Sequence, residues 1–197
     1  DLVAIAGDVY DRSVPPEDAV ELLDTAIAEL RNAGAIVALI PGNHDNSTRV
    51  GFGARAFGAF GVHVRGTIGR DTAGAPILVE FADGPLAIVP LPFLDPGMYF
   101  TRDESGEYPD LGVERTHEGA MRDALRATRE QIGNTRSLLL AHAFVAGNVE
   151  VSDSEKTLRV GGTDRVAVEV FEGFSYTALG HLHRPQELSS TVYAVLV

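Results

Sequence analysis

Four short apolar runs punctuate this chain, and each stops at a residue with metal-ligating chemistry. Val3 to Ala6 ends in Gly7-Asp8, and Ala35 to Ile40 ends in Pro41-Gly42-Asn43-His44-Asp45. Leu138 to Ala141 ends in His142, and Tyr176 to Leu179 ends in Gly180-His181-Leu182-His183. Apolar runs of this length, bounded by turn residues and lacking a polar face, predict strands covered on both sides. Between the first two, Ala19, Leu22, Leu23, Ala26, Ile27 and Leu30 recur at helical spacing, after Pro15-Pro16 and before Gly34. The opening is therefore a strand–helix–strand unit, which implies parallel pairing. Because Leu2–Ala6 has no polar face, the chain is expected to enter at a central strand.

The remaining pattern is mixed. The Gly-rich stretch 51–66, with Phe52, Phe57 and Phe60, predicts a short helix and then a strand at Val62–Val64. Ile77–Phe81 and Leu86–Pro90 predict a hairpin turning at Asp83-Gly84. Residues 94–116 are rich in Pro, Gly and acids without periodicity, and read as a long surface loop. Ala120, Met121, Ala124, Leu125 and Ile132 predict a second amphipathic helix over 117–132, followed by the strand 137–141. Residues 146–165 read as a loop with one short strand near Leu158–Val160. The alternation of strands and helices predicts an α/β fold: two sheets packed as a sandwich with helices outside, in one domain spanning 1–197.

Composition narrows the chemistry. With 197 residues, 45% of them hydrophobic and 22% charged, the chain suits one soluble domain with a single core. No apolar run approaches the ~20 residues that span a membrane. There is no cysteine, so disulfides and thiolate metal sites are excluded, and a reducing cytoplasm fits. Any metal must use His, Asn and carboxylate, which favours Mn, Mg, Fe or Zn. The net charge of −12 argues against a non-specific nucleic-acid binder, although a bound cation offsets it where a phosphate arrives.

Read singly, the candidate residues have ordinary explanations. Asp8 suits a turn or helix cap, Gly42-Asn43 suits a β-turn, and a lone His142 after an apolar strand suits the core. Read together, they place nitrogen and oxygen donors at neighbouring strand ends, which converge on one crevice in an open α/β sheet. His44 can protonate a leaving oxygen or stabilise charge, and Asp45 is placed to hold His44 in one tautomer. His181 and His183 share a sharp turn from which they can serve two different metals. His63 is expected to face solvent and His117 to start a helix, neither with a role. Arg12 and Arg49 lie near these loops, where a solvated surface role explains both.

Gly7-Asp8-x-x-Asp11, Gly42-Asn43-His44-Asp45, His142 and Gly180-His181-x-His183 together resemble the calcineurin-like metallophosphoesterases. Ala6 to Arg12 with Val14-Pro15-Pro16, Ala141 to Phe144, Ser152-Asp153-Ser154-Glu155 and Gly161-Gly162 are similar to the SbcD-type nucleases of that superfamily. The resemblance implies a calcineurin-like fold with Asp8 bridging two divalent ions. Asn43, His142 and His181 would complete one ion, His183 would belong to the other, and His44 would be catalytic. Mn2+ is the implied ion, with Mg2+ or Fe2+ as substitutes. The implied reaction is DNA phosphodiester hydrolysis, as a 3′→5′ exonuclease and hairpin- or end-processing endonuclease in double-strand-break repair and recombination. The implied partners are DNA and the SbcC ATPase, with a homodimer inside a heterotetramer, in the cytoplasm and without a membrane.

That family opens with an Asp-x-His motif on a first strand and continues past Gly-His-x-His into a DNA-facing cap domain. This sequence is expected to carry the core without that first strand and cap. Two alternatives follow from the residues. One is a phosphodiesterase or phosphomonoesterase for small molecules, which the acidic charge favours. The other is a metal-poor scaffold for SbcC, which the missing motif motivates.

Overall fold

A computed structural model describes residues 1–66, 75–146 and 165–195. Strand β1 (Leu2–Ala6), helix α1 (Glu17–Asn32) and strand β2 (Ile36–Ile40) form the expected opening unit, and β1 and β2 are parallel. Two short helices follow, α2 (Ser47–Val50) and α3 (Ala54–Phe57), and then β3 (Val62–Val64), parallel to β2. These strands make a three-stranded sheet in the order β1-β2-β3.

The second sheet begins with the hairpin β4 (Ile77–Phe81) and β5 (Gly84–Leu91). Phe81 pairs with Gly84, so Ala82 and Asp83 form the turn and Gly84, with φ +115°, opens β5. Asp83 also accepts from the two terminal guanidinium nitrogens of Arg136, at 2.6 and 3.0 Å. After α4 (Pro96–Tyr99) and α5 (His117–Ile132) come β6 (Ser137–His142), β7 (Phe144–Ala146), β8 (Arg165–Ala167), β9 (Tyr176–Gly180), β10 (Gln186–Glu187) and β11 (Val192–Ala194). The large sheet has the order β10-β11-β9-β6-β5-β4, and β7 pairs with β8 apart from it. The short strand expected near Leu158–Val160, and the segments 152–155 and 161–162, lie outside the described residues.

Alternation along the central strands explains the layering, because successive strand side chains face opposite ways. Ile88, Leu140 and Ala178 face the small sheet and pack with Ala6, Ala38 and Ile40. Their neighbours Ala87, Val89, Leu91, Leu139, Ala141 and Leu179 face the other way, onto Ala120, Met121, Ala124 and Leu125 of α5. Both faces are covered, so the sequence reads as unbroken apolar runs. Fully burying a side chain such as Met121 or Leu125 contributes about 1.5–3 kcal/mol. The Thr116 hydroxyl accepts the Gly119 N–H at 3.1 Å and fixes where α5 starts.

Several expectations need correction. Among the described residues β1 lies at an edge rather than in the centre, pairing only with β2, and Leu2–Ile5 are half-buried. Helix α1 contains no fully buried residue. Ala19, Leu23, Ile27 and Leu30 make a narrow half-buried stripe, while Ala26 and Leu22 are exposed, Leu22 by 70%. A helix lying on a narrow sheet covers only the residues three and four apart that point straight down. Residues 94–116 are not wholly surface loop, since Leu94, Tyr99, Phe100 and Leu111 enter the core. Asp95-Pro96 starts α4 within this segment, with the Asp95 carboxylate accepting from Gly97 and Met98 N–H groups. His63 is half-buried rather than facing solvent, and burial with the nearby Arg31 charge lowers its pKa. Among the described residues no helix is long and apolar enough to cross a membrane.

Candidate metal centre

Strands β1 and β2 end in register, Ala6 opposite Ile40, and β6 and β9 end with His142 opposite Gly180. The two sheets face each other, so the four strand ends open on one crevice. Asp8, His142 and His181 each present a ligand atom there, all within 4.8 Å of one another. Asn43 joins them: its Oδ1 lies 3.0 Å from His142 Nε2 and 2.8 Å from His181 Nδ1. His142 Nε2 is also 3.3 Å from Asp8 Oδ2.

The protonation of His142 follows from its other nitrogen. Nδ1 lies 2.8 Å from the Ala6 carbonyl oxygen, which can only accept, so Nδ1 carries the proton. In neutral imidazole Nε2 then presents a lone pair toward the Asp8 carboxylate and the Asn43 oxygen. Acceptors converging on one point, with one ring turned by a backbone carbonyl behind it, are the arrangement of a cation site. The set of carboxylate, amide oxygen and two imidazoles fits a borderline-hard divalent ion. Burial raises the Asp8 pKa, but when no cation lies between them the doubly protonated form of His142, through its Nε2–H and its charge, outweighs it together with the His44 N–H and holds the group at about 2.

Close backbone packing makes this convergence possible. A Cβ on Gly7 would strike the His142 ring, one on Gly42 would strike the Asp8 carboxylate, and one on Gly180 would strike the Ala6 carbonyl oxygen. Asp8 and His181 themselves adopt left-handed backbone conformations, with φ of 48° and 95°. Such conformations cost about 1–3 kcal/mol each in a non-glycine residue and concentrate at functional sites.

His44 sits exposed at the mouth. Its backbone N–H donates to Asp8 Oδ1 at 3.0 Å, and its Nδ1 lies 3.2 Å from the Asp11 carbonyl oxygen. The loop that supplies this carbonyl is held in turn by Arg49, whose guanidinium donates to the Ser13 carbonyl at 2.9 Å. Asp45 does not hold the His44 ring. Its carboxylate accepts from the N–H groups of Val9, Tyr10 and Gly42, at 3.0, 2.9 and 2.8 Å. It thereby clamps the loop after β1 to the loop after β2. Burial raises the Asp45 pKa and the nearby Asp8 charge adds to this, against the three N–H bonds that lower it.

Asp45→Ala is expected to leave those three N–H groups unpaired and to destabilise the fold by about 1–3 kcal/mol. Asp45→Asn, which keeps one acceptor oxygen, should lose less. Chemical denaturation of the three proteins measures the difference.

His183 is exposed on the turn after β9 and stands outside the Asp8–His142–His181 group. Asp11 offers its carbonyl to His44, while its side chain is exposed beside Arg12. His117 does start α5, but its ring is buried, edge-on to Phe93 at 4.8 Å. Sequence reasoning missed the Asp11 carbonyl and the Phe93 ring, 6.3 Å from that of His142. The signal for the glycine cradle was present, since Asp8, Asn43 and His181 each follow a glycine directly.

Comparison with known proteins shows the family of the chain. The profile of the calcineurin-like phosphoesterase family matches residues 1–185. The SbcD component of nuclease SbcCD from Staphylococcus epidermidis is 28% identical over 193 residues, covering 97% of this chain and 48% of the relative. The protein of the same name in Staphylococcus saprophyticus is 29% identical over 192 residues, covering 96% and 48%. In Rhodobacter capsulatus it is 33% identical over 208 residues, covering 95% and 49%. The chain thus spans about half the length of the curated relatives it matches.

Proposed function

The chain belongs to the calcineurin-like phosphoesterase family, and from that premise we propose that it is the catalytic core of an SbcD-type nuclease. Its substrate is DNA and its bond is the phosphodiester. The observation that carries this reading is the convergence of Asp8, Asn43, His142 and His181 on one point. These residues would hold one divalent ion, and His183 would serve a second together with Asp8. Mn2+ is the favoured ion. When bound, the metal supplies Lewis-acid charge to the phosphoryl oxygens and lowers the pKa of water.

The protein's own residues do the rest. Asp8 and Asn43 fix the electrostatic centre at which a phosphate docks. His142, turned by the Ala6 carbonyl, keeps a nitrogen aimed at that centre. His44 gives Nδ1–H to the Asp11 carbonyl, and in its doubly protonated form it carries a second proton on Nε2, which it passes to the leaving oxygen. Asp45 keeps the two loops at a fixed separation. In the whole protein this core works with the SbcC ATPase as a dimer within a larger assembly, on 3′ ends and hairpins.

The net charge of −12 favours a second reading, hydrolysis of small diesters or monoesters. The two readings separate on substrate. Full-length protein with Mn2+ is expected to degrade linear DNA, whereas cleavage of a nitrophenyl diester with duplex and single-stranded DNA left intact supports the second reading.

Metal binding has a readout independent of activity. Ligand at about 100 times its dissociation constant stabilises the native state by about 2.7 kcal/mol. For a chain of this size that raises the melting temperature by about 5–10 °C. EDTA should remove the increment, and His142→Ala should abolish it.

A further inference from the structure

The metal centre adjoins a cleft of about 190 Å³. Gly42 and Asn43 of the ligand loop form one wall, and Phe93, Leu94 and Met98, between β5 and the end of α4, form the other. The walls are tied together, because the Phe93 N–H donates to the Pro41 carbonyl at 3.2 Å. Phe93 is half-buried, and Met98 is 67% exposed with its thioether free to pack against a ligand. Among the described residues lining the cleft there is no lysine or arginine. Its two carboxylates are engaged by backbone donors: Asp45 as above, and Asp95 by Gly97 and Met98 N–H at 2.7 and 3.1 Å.

This electrostatic division assigns occupants to the two compartments. A phosphate is attracted to the cation-binding point and repelled from a cleft whose described residues include two carboxylates and no cation. A neutral, flat group has the opposite preference, because it buries apolar area against Phe93 and Met98. Methionine sulfur packs favourably on aromatic rings. In a nucleic acid held by its phosphate, the flat neutral group next to that phosphate is the base.

We propose that the cleft between Asn43 and Met98 takes the nucleobase of the nucleotide adjoining the scissile phosphate, unstacked from its neighbours. The inference rests on the diester-hydrolase reading above. The cleft offers surfaces rather than a pattern of donors and acceptors, so it distinguishes a base from no base more than one base from another. It also favours frayed or single-stranded ends, where unstacking costs least.

The test uses the full-length protein with Mn2+ and single-stranded oligonucleotides in which one abasic tetrahydrofuran residue is moved position by position. Stacking of one base on protein side chains corresponds to about a tenfold effect or more. Cleavage at the phosphate adjoining the abasic position is therefore expected to fall about tenfold in kcat/KM. In Met98→Ala, a change at an exposed position, the ratio between intact and abasic substrates should move toward one. Equal cleavage of intact and abasic oligonucleotides by the unmodified protein overturns the base site and leaves the hydrolase reading standing. An unchanged ratio in Met98→Ala also overturns it. Failure to cleave any oligonucleotide, with metal bound, overturns both.

Discussion

On the nuclease reading proposed above, His44→Ala in the full-length protein is expected to lower turnover by about 10²–10⁴-fold, the range for loss of a positioned proton donor. Metal affinity should hold, because the contact that His44 makes with the ligand set is through its backbone. The His44 N–H donates to Asp8 Oδ1, and alanine keeps that N–H. What is lost is an exposed ring whose Nδ1 is committed to the Asp11 carbonyl. The loss should appear in kcat with KM little changed, since a proton delivered to the leaving oxygen acts in the transition state. Steady-state kinetics on single-stranded DNA, with calorimetric Mn2+ titration of the same preparation, measures both. Activity within tenfold of the parent protein would remove His44 from the mechanism.

The strand ends that carry this chemistry were legible because two independent patterns coincide there. Unbroken apolar runs mark strands covered on both faces, and the side chains that follow them must lie at a sheet edge. The runs ending at Gly7-Asp8, His142 and Gly180-His181 therefore predicted neighbours correctly across more than a hundred residues of sequence. The same pattern overstated β1 within the described residues. Hydrophobicity reports that a side chain faces packed neighbours, not how many strands flank its backbone, and Leu2, Ala4 and Ala6 pack on the second sheet from a strand that pairs there only with β2. It also overstated α1, since helical spacing gives the direction of the apolar face but not the width of the surface beneath it. In 94–116 the buried residues Leu94, Tyr99, Phe100 and Leu111 belong to no single period. Only the Asp95-Pro96 cap announced a helix there.

Within the site, residue types were readable and their hydrogen-bond partners were not. A carboxylate one residue after a histidine invites pairing between the two side chains. Asp45 instead points back to three N–H groups, one on its own loop and two on a loop more than thirty residues away. No local pattern encodes such a contact, because it depends on how the two loops meet after the sheet has formed. The Asp11 carbonyl is hidden for a stronger reason: every residue has one.

Gly180→Ala is expected to weaken metal binding although it removes no ligand. A Cβ at this position lands on the Ala6 carbonyl oxygen, the atom that receives the His142 Nδ1 proton. To admit it, β1 must retreat from β9, and the ring of His142 loses the partner that orients it. Loss of the partner behind a metal-ligating histidine lowers metal affinity about 10–100-fold. Forcing a methyl into a packed contact costs about 1–3 kcal/mol of stability as well. Gly42→Ala reaches the site from the other side, since its Cβ meets the Asp8 carboxylate, the Asp8 backbone nitrogen and the His142 ring. It too should lose metal affinity and stability. Gly58→Ala serves as the comparison: its Cβ meets only His63 Nδ1, at 3.9 Å, and its backbone is already helical. Calorimetry with Mn2+ and thermal melts of the three variants should rank affinity as Gly58→Ala well above the other two. If Gly180→Ala and Gly42→Ala both bind metal like Gly58→Ala, the four strand ends do not converge as tightly as the site requires.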